Sequence, residues 1–176
     1  MHILKQVALS AILLASASAQ AVTTTGVTGD FGGHHYIELN ASNWSDAEAT
    51  AVSMGAHLVA VNSQAENDFL ISTFGSGHAL WLGFHRTGPN PGDFAWTNGD
   101  AVTYTNWAAG EPNNWGGEQY AHTYTNGHWN DVSDDSGYAG PKFGVVEAVP
   151  EPGGYAMLAA GLALLGWTAR RKGRAG

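Results

Sequence analysis

Cysteine is absent from all 176 residues. No disulfide can staple the fold, and no thiolate is present to hold a soft metal or act as a nucleophile. Basic residues are almost as scarce. Of seven, Lys5 lies near the N-terminus, and Arg170, Arg171, Lys172 and Arg174 lie near the C-terminus. Only Arg86 and Lys142 remain between, against fifteen acidic residues that all fall from Asp30 to Glu151, a net −13 for that stretch. Such a chain repels nucleic acid, which needs clustered Lys and Arg. It attracts divalent cations, although acidity serves simple solubility equally well. The signatures Gly-x-Ser-x-Gly, the phosphate loop and His-Glu-x-x-His are missing too. The histidines at 34, 35, 57, 78, 85, 122 and 128 are scattered, and none pairs with a carboxylate at zinc-ligand spacing.

Oxygen ligands, by contrast, are concentrated. Glu111-Pro112-Asn113-Asn114-Trp115-Gly116-Gly117-Glu118 is followed by Trp129-Asn130-Asp131. Together they offer the side chains of Glu111, Asn113, Glu118, Asn130 and Asp131. Carboxylate and amide oxygens suit calcium, which takes about six to eight of them, whereas zinc prefers nitrogen and sulfur. Five protein ligands leave part of that shell to a hydroxyl-bearing partner. A cis Glu111–Pro112 bond would turn Glu111 and Asn113 toward one ion, and cis X–Pro costs only about 0.5–1 kcal/mol over trans. Pro, Asn and Gly also make ordinary polar turns, and it is the second cluster downstream that favours a site. Glu111 and Glu118 could alternatively serve as the paired carboxylates of a hydrolase, but ligation explains them better.

Both ends read as address labels. Residues 1–21 combine Lys5, an apolar run from Val7 to Ala15 and small residues at Ala17-Ser18-Ala19, the pattern of a secretory signal peptide. At the other end, Pro150-Glu151-Pro152 precedes an apolar run from Tyr155 to Ala169 and the basic Arg170-Arg171-Lys172. A helix there would span about 22 Å, short of the roughly 30 Å bilayer core. Tyr155, Trp167 and the arginines would anchor it at the interfaces, basic end inward. Residues 149–176 resemble the bacterial PEP-CTERM sorting signal. That implies an exported precursor held in the inner membrane by the C-terminal helix. An exosortase-type enzyme then processes it, and the product reaches the cell surface or an extracellular polysaccharide matrix.

Between the labels, residues 22–33 read as a Thr- and Gly-rich extended lead-in. His35–Leu39 alternates as a strand. Ser45-Asp46-Ala47-Glu48 has the form of a capping box, opening a helix that buries Trp44, Ala47, Ala51 and Met54. A strand over His57–Val61 follows. Ser63-Gln64-Ala65-Glu66 is a second capping box, for a helix that turns Phe69, Leu70 and Phe74 inward. Ala79–Phe84 is a buried strand, and a long loop region runs from Arg86 to Trp129. Structureless loops of that length are usually functional.

This order, the Trp81-Leu82-Gly83-Phe84 strand, the approach Tyr104-x-x-Trp107-x-x-Gly110, and the Glu-Pro-Asn and Trp-Asn-Asp motifs resemble C-type lectin-like domains over residues 34–148. The resemblance implies an α+β fold with two helices, small antiparallel sheets and a long calcium-binding loop region. It implies no enzyme. One Ca2+ would be held by Glu111, Asn113, Glu118, Asn130 and Asp131, and a glycan or exopolysaccharide would be the partner. Sugar contact would fall to Glu111, Asn113, Glu118 and Asn130, with Trp115 either stacked on a sugar or closing the loop. The Glu-Pro-Asn order goes with mannose, glucose, N-acetylglucosamine and fucose, and Gln-Pro-Asp with galactose. A structural calcium with a protein or matrix partner is the other reading. Departures are clear. Ala51 and Val146, and Tyr120 and Asp134, stand where the family's cysteine pairs would be. His85, Arg86 and Gln119 stand where auxiliary calcium ligands are expected. Trp81, Trp96, Trp107 and Trp129 are expected in the core, where they would compensate for the missing disulfides.

Overall fold

A computed structural model describes residues 22–134 and 137–148. The expected signal peptide and the expected C-terminal membrane helix fall on residues outside those described. Within them no helix is long and apolar enough to cross a membrane. The elements in chain order are β1 (Thr24–Phe31), β2 (His34–Ala41), α1 (Trp44–Ser53), β3 (His57–Leu58), α2 (Gln64–Thr73) and β4 (Ala79–Arg86). They continue with β5 (Phe94–Trp96), β6 (Tyr120–Thr123), β7 (Trp129–Val132) and β8 (Lys142–Ala148). The class is α+β. The described strands join one sheet, ordered β1-β2-β8-β4-β6-β7, with β3 on β8 and β5 on β4. Antiparallel pairs dominate, and β4 and β8 run parallel.

Local sequence accounts for most of these elements. The Thr- and Gly-rich stretch becomes β1 because Gly32 and Gly33, at φ +61° and +91°, turn the chain back onto β2. Helix α1 starts two residues earlier than a Ser45 cap would have it. Asn43 is the cap, its side chain accepting from the Asp46 N–H at 2.7 Å. Glu48 does not complete a capping box. Its carboxylate accepts instead from Leu58 N–H (2.9 Å) and pairs with His57 Nδ1 (2.6 Å). Trp44, Ala47 and Ala51 are buried as the spacing predicts, but Met54 is exposed, because the helix ends there and Thr50 takes the inner position. In α2 the Ser63 cap holds, its hydroxyl accepting from Glu66 N–H at 3.2 Å. Leu70 and Phe74 are buried and Phe69 packs against them.

The strand expected over residues 57–61 pairs only at His57 and Leu58. Beyond it Val59 and Ala60 still bond toward β8, to Val145 O (2.8 Å) and to the Glu147 carboxylate (3.0 Å). Strand β4 passes so close beneath this segment that a Cβ on Gly83 would lie 2.4 Å from the Leu58 carbonyl oxygen. Only glycine fits there.

Two clusters form the core. In the first, Phe84 stacks on Trp96 (4.2 Å between centroids) and lies 5.8 and 5.9 Å from Trp107 and Trp129. This aromatic knot pins the long loop to β7, where Trp107 and Trp129 form a β-bridge. The second cluster contains both Ala51 and Val146, each fully buried. Tyr120 stacks on Trp44 at 4.2 Å, and Asp134 Oδ1 accepts from the Ser45 N–H at 2.8 Å. Both positions of the second expected cysteine pair therefore fasten the start of α1. Burying one aromatic side chain of about 150–250 Å² contributes about 4–6 kcal/mol before entropy is counted. That matches the order of a lost disulfide, about 2–5 kcal/mol.

Candidate binding site

The segment 111–118 is shaped by its turn residues. The Glu111–Pro112 bond is cis. Asn114 sits in the left-handed region at φ +55°, which Asn tolerates better than most side chains, and Gly116 and Gly117 follow at +65° and +90°. The result is a tight coil whose backbone N–H groups point at its own acidic side chains.

Hydrogen bonds show the convergence. The Trp115 N–H donates to both Asn113 Oδ1 (2.7 Å) and Glu118 Oε2 (3.0 Å), so those two oxygens aim at one point. Asn113 donates from its backbone to Glu111 Oε2 (3.0 Å) and from its amide to Glu111 Oε1 (2.9 Å). Asn130 joins from β7. Its amide donates to Asp131 O (2.8 Å) and to His122 Nε2 (3.3 Å), which leaves Oδ1 for the cleft. His122 is fully buried opposite Asn130 in the β6–β7 register. Its Nδ1 donates to Thr123 O (2.9 Å), which makes Nε2 the acceptor. Burial pushes this imidazole down to about 4, so it stays neutral.

Glu111, Asn113, Trp115, Gly116, Glu118, Asn130, Ser133 and Tyr138 line a cleft of about 440 Å³. Four of the five expected ligands, Glu111, Asn113, Glu118 and Asn130, thus share one lining, and Trp115 stands in it 80% exposed. Asp131 is placed differently. It backs the cleft, fully buried, with Oδ1 accepting from Asn113 N–H (3.0 Å) and Oδ2 from Asn114 N–H (3.0 Å) and Arg86 Nη2 (2.6 Å). A carboxylate has about four acceptor positions, so Oδ1 keeps one. Arg86 also donates to Glu118 O (2.8 Å), Asn90 O (2.8 Å) and Pro91 O (3.4 Å).

The electrostatics favour a cation. Burial, then the Asp131 carboxylate, pushes the Glu118 carboxyl up to about 7. Glu111 is raised as well, by burial and by Asp131. Among the described residues no three carboxylate or imidazole groups form a metal cluster, so amide oxygens must complete a cation site here. The converging donors are all oxygens, mixed carboxylate and amide, which fits a hard ion such as calcium.

Four neighbours of this site have no binding role in the sequence reading, which notes Arg86 only as a departure at an auxiliary calcium position and gives His122 only a structural role. Arg86 is 45 residues from Asp131, beyond any local pattern. His122 faces Asn130 only once the hairpin register is known. Ser133 and Tyr138 follow the Trp-Asn-Asp motif, and an aromatic in a Gly-rich loop was their one visible signal.

Residues 40–139 match the family described as Lectin C-type domain, and residues 148–172 match the PEP-CTERM protein-sorting motif. The chain is 31% identical over 114 residues to a perlucin-like protein of Mytilus galloprovincialis, covering 59% of this chain and 72% of that one. It is 34% identical over 99 residues to the human C-type lectin domain family 17, member A, covering 56% of this chain and 26% of that protein. The match therefore spans only about a quarter of that human relative. Among solved structures, the mouse scavenger receptor C-type lectin carbohydrate-recognition domain aligns with TM-score 0.61 and 26% identity, over 70% of this chain and 94% of that one. The family is carbohydrate-binding and non-enzymatic. By its matched domain, its fold and its relatives, this chain belongs to the C-type lectin domain family.

Proposed function

We propose that this protein is a calcium-dependent, mannose-type carbohydrate-binding protein exported to the bacterial surface or extracellular matrix. The observation that carries this reading is the meeting of Glu111, Asn113, Glu118 and Asn130 in one cleft with Trp115 beside them. Calcium bound there supplies a hard centre for two vicinal sugar hydroxyls. Glu111 and Glu118 accept hydrogen bonds from those hydroxyls, charge-assisted and therefore strong. Asn113 donates to them through its amide. Asn130 contributes Oδ1, held by His122, and Asp131 contributes the remaining acceptor position of Oδ1. Trp115 packs against a sugar face. Affinity for one sugar is weak because few contacts form and hydroxyls must be desolvated, so useful binding rests on multivalency. Residues 1–21 act as the export signal. Residues 149–176 act as the sorting segment, anchoring the precursor through a short membrane helix until an exosortase-type enzyme removes it.

A second reading keeps the calcium structural and gives the domain a protein or matrix partner. It is favoured by Asp131, whose carboxylate is already tied into the scaffold by three donors. Thermal unfolding of the full chain separates the two. Chelator, calcium, and calcium with mannose should give three successively higher transitions, by linkage. A calcium rise with no further rise for any sugar of a glycan array would leave the structural reading. No calcium rise would overturn both.

A further inference from the structure

The reading above uses Glu111, Asn113, Trp115, Glu118 and Asn130 of the cleft lining; the side chains of Ser133 and Tyr138, which line it too, are left without a role. Among the described residues, the exposed large apolar side chains include two aromatics, Trp115 and Tyr138, at 80% and 59%. Both line this one cleft, although they come from segments on either side of β7. Holding an aromatic face in water forgoes the gain of burying it, so two such faces at one cleft point to a ligand that covers both.

Tyr138 is a placed residue. Its carbonyl oxygen accepts from Lys142 Nζ at 2.6 Å, and that ammonium is buried over the face of Trp81, 5.1 Å from the ring centroid. Its hydroxyl lies 3.3 Å from the Tyr124 hydroxyl, with the two rings 6.4 Å apart at 72°. The buried cation thus holds the Tyr138 backbone, and the neighbouring phenol meets its ring.

We infer that the cleft binds two consecutive sugars of a glycan chain, with Tyr138 and Ser133 forming a second subsite beside the one built on Glu111, Asn113, Glu118, Asn130 and Trp115. A pyranose offers polar edges and an apolar C–H face. The acidic and amide groups take hydroxyls along one edge of the first ring, and Trp115 takes its face. The linked ring packs on Tyr138 and meets the Ser133 hydroxyl, which both donates and accepts. The ligand class is therefore an oligo- or polysaccharide, in preference to an isolated terminal sugar. This inference rests on the carbohydrate-binding reading above.

Calorimetric titration of the full chain in calcium, with mannose and with mannotriose, tests it. The native protein should bind mannotriose about fivefold to tenfold more tightly than mannose, the scale of one added aromatic contact. Tyr138→Ala should erase that gain and leave mannose affinity unchanged, and Tyr138→Phe should keep most of it. Ser133→Ala should reduce the gain in part. Equal affinity of the native protein for the two sugars would overturn the inference and leave the reading intact. So would a Tyr138→Ala protein that keeps the gain, or one that loses mannose binding along with it. Failure of the native protein to bind either sugar would overturn the inference together with the reading beneath it.

Discussion

Arg86 and Asp131 form a buried ion pair behind the binding cleft, Nη2 to Oδ2 at 2.6 Å, with side chains 4% and 0% exposed. The guanidinium also holds carbonyls of Asn90, Pro91 and Glu118, so one planar cation fastens two loop segments to β7. Truncating one partner strands the other charge in the interior, at a cost of about 3–5 kcal/mol. Arg86→Ala should lose about that much stability in denaturant unfolding. Arg86→Lys should recover little, because an ammonium cannot reach acceptors spread around a planar fork. An Arg86→Ala loss below about 1 kcal/mol would show that the pair does not hold the site.

His122 should matter to the cation site without lining it. His122→Leu removes the acceptor for the Asn130 amide and leaves a buried N–H unpaired, about 1–3 kcal/mol. Calcium affinity should fall about tenfold, and His122→Gln, which restores an acceptor, should recover part of it. Calcium titration followed by tryptophan fluorescence reads both variants. Unchanged affinity in His122→Leu would remove His122 from any role in orienting Asn130.

The raised carboxyl of Glu118 fixes a pH dependence. Its folded value, about 7, stands above the ordinary 4.5. Between those values the folded protein holds a proton that the unfolded chain has released, so without calcium this group's contribution favours folding below about pH 4.5 and is lost as pH rises to 7. Calcium must displace that proton. Its affinity should climb with pH through the same window, by up to about tenfold per unit, and level off above 7. A flat profile from pH 5 to 8 would mean Glu118 is not a ligand.

Selectivity rests on the order of Glu111 and Asn113. Exchanging their chemistry, Glu111→Gln with Asn113→Asp, should shift competition binding from mannose toward galactose. Unchanged preference would assign selectivity to other residues of the cleft.

How much of this was legible beforehand follows the range of the interactions. The Ser63 cap is written within four residues and reads correctly. The start of α1 is equally local but offers two cap-forming residues, Asn43 and Ser45, and the choice falls to Asn43 while Glu48 turns to His57 and Leu58. Glu111, Asn113, Glu118 and Asn130 are legible because a motif preserves their spacing through the intervening fold. Arg86 with Asp131, and His122 with Asn130, are contacts between strands, created by β4 lying beside β6 and β6 beside β7. No pattern along the chain announces them.

Ala51 and Val146 are both fully buried in one core cluster, at the two positions where the family resemblance implies a disulfide. A domain closed this way needs no thiol oxidant and no disulfide isomerase to reach its native state. It cannot be scrambled by wrong pairing as it folds, and it will not be opened by a thiol reagent afterwards. Its assembly is therefore indifferent to the redox state of its surroundings.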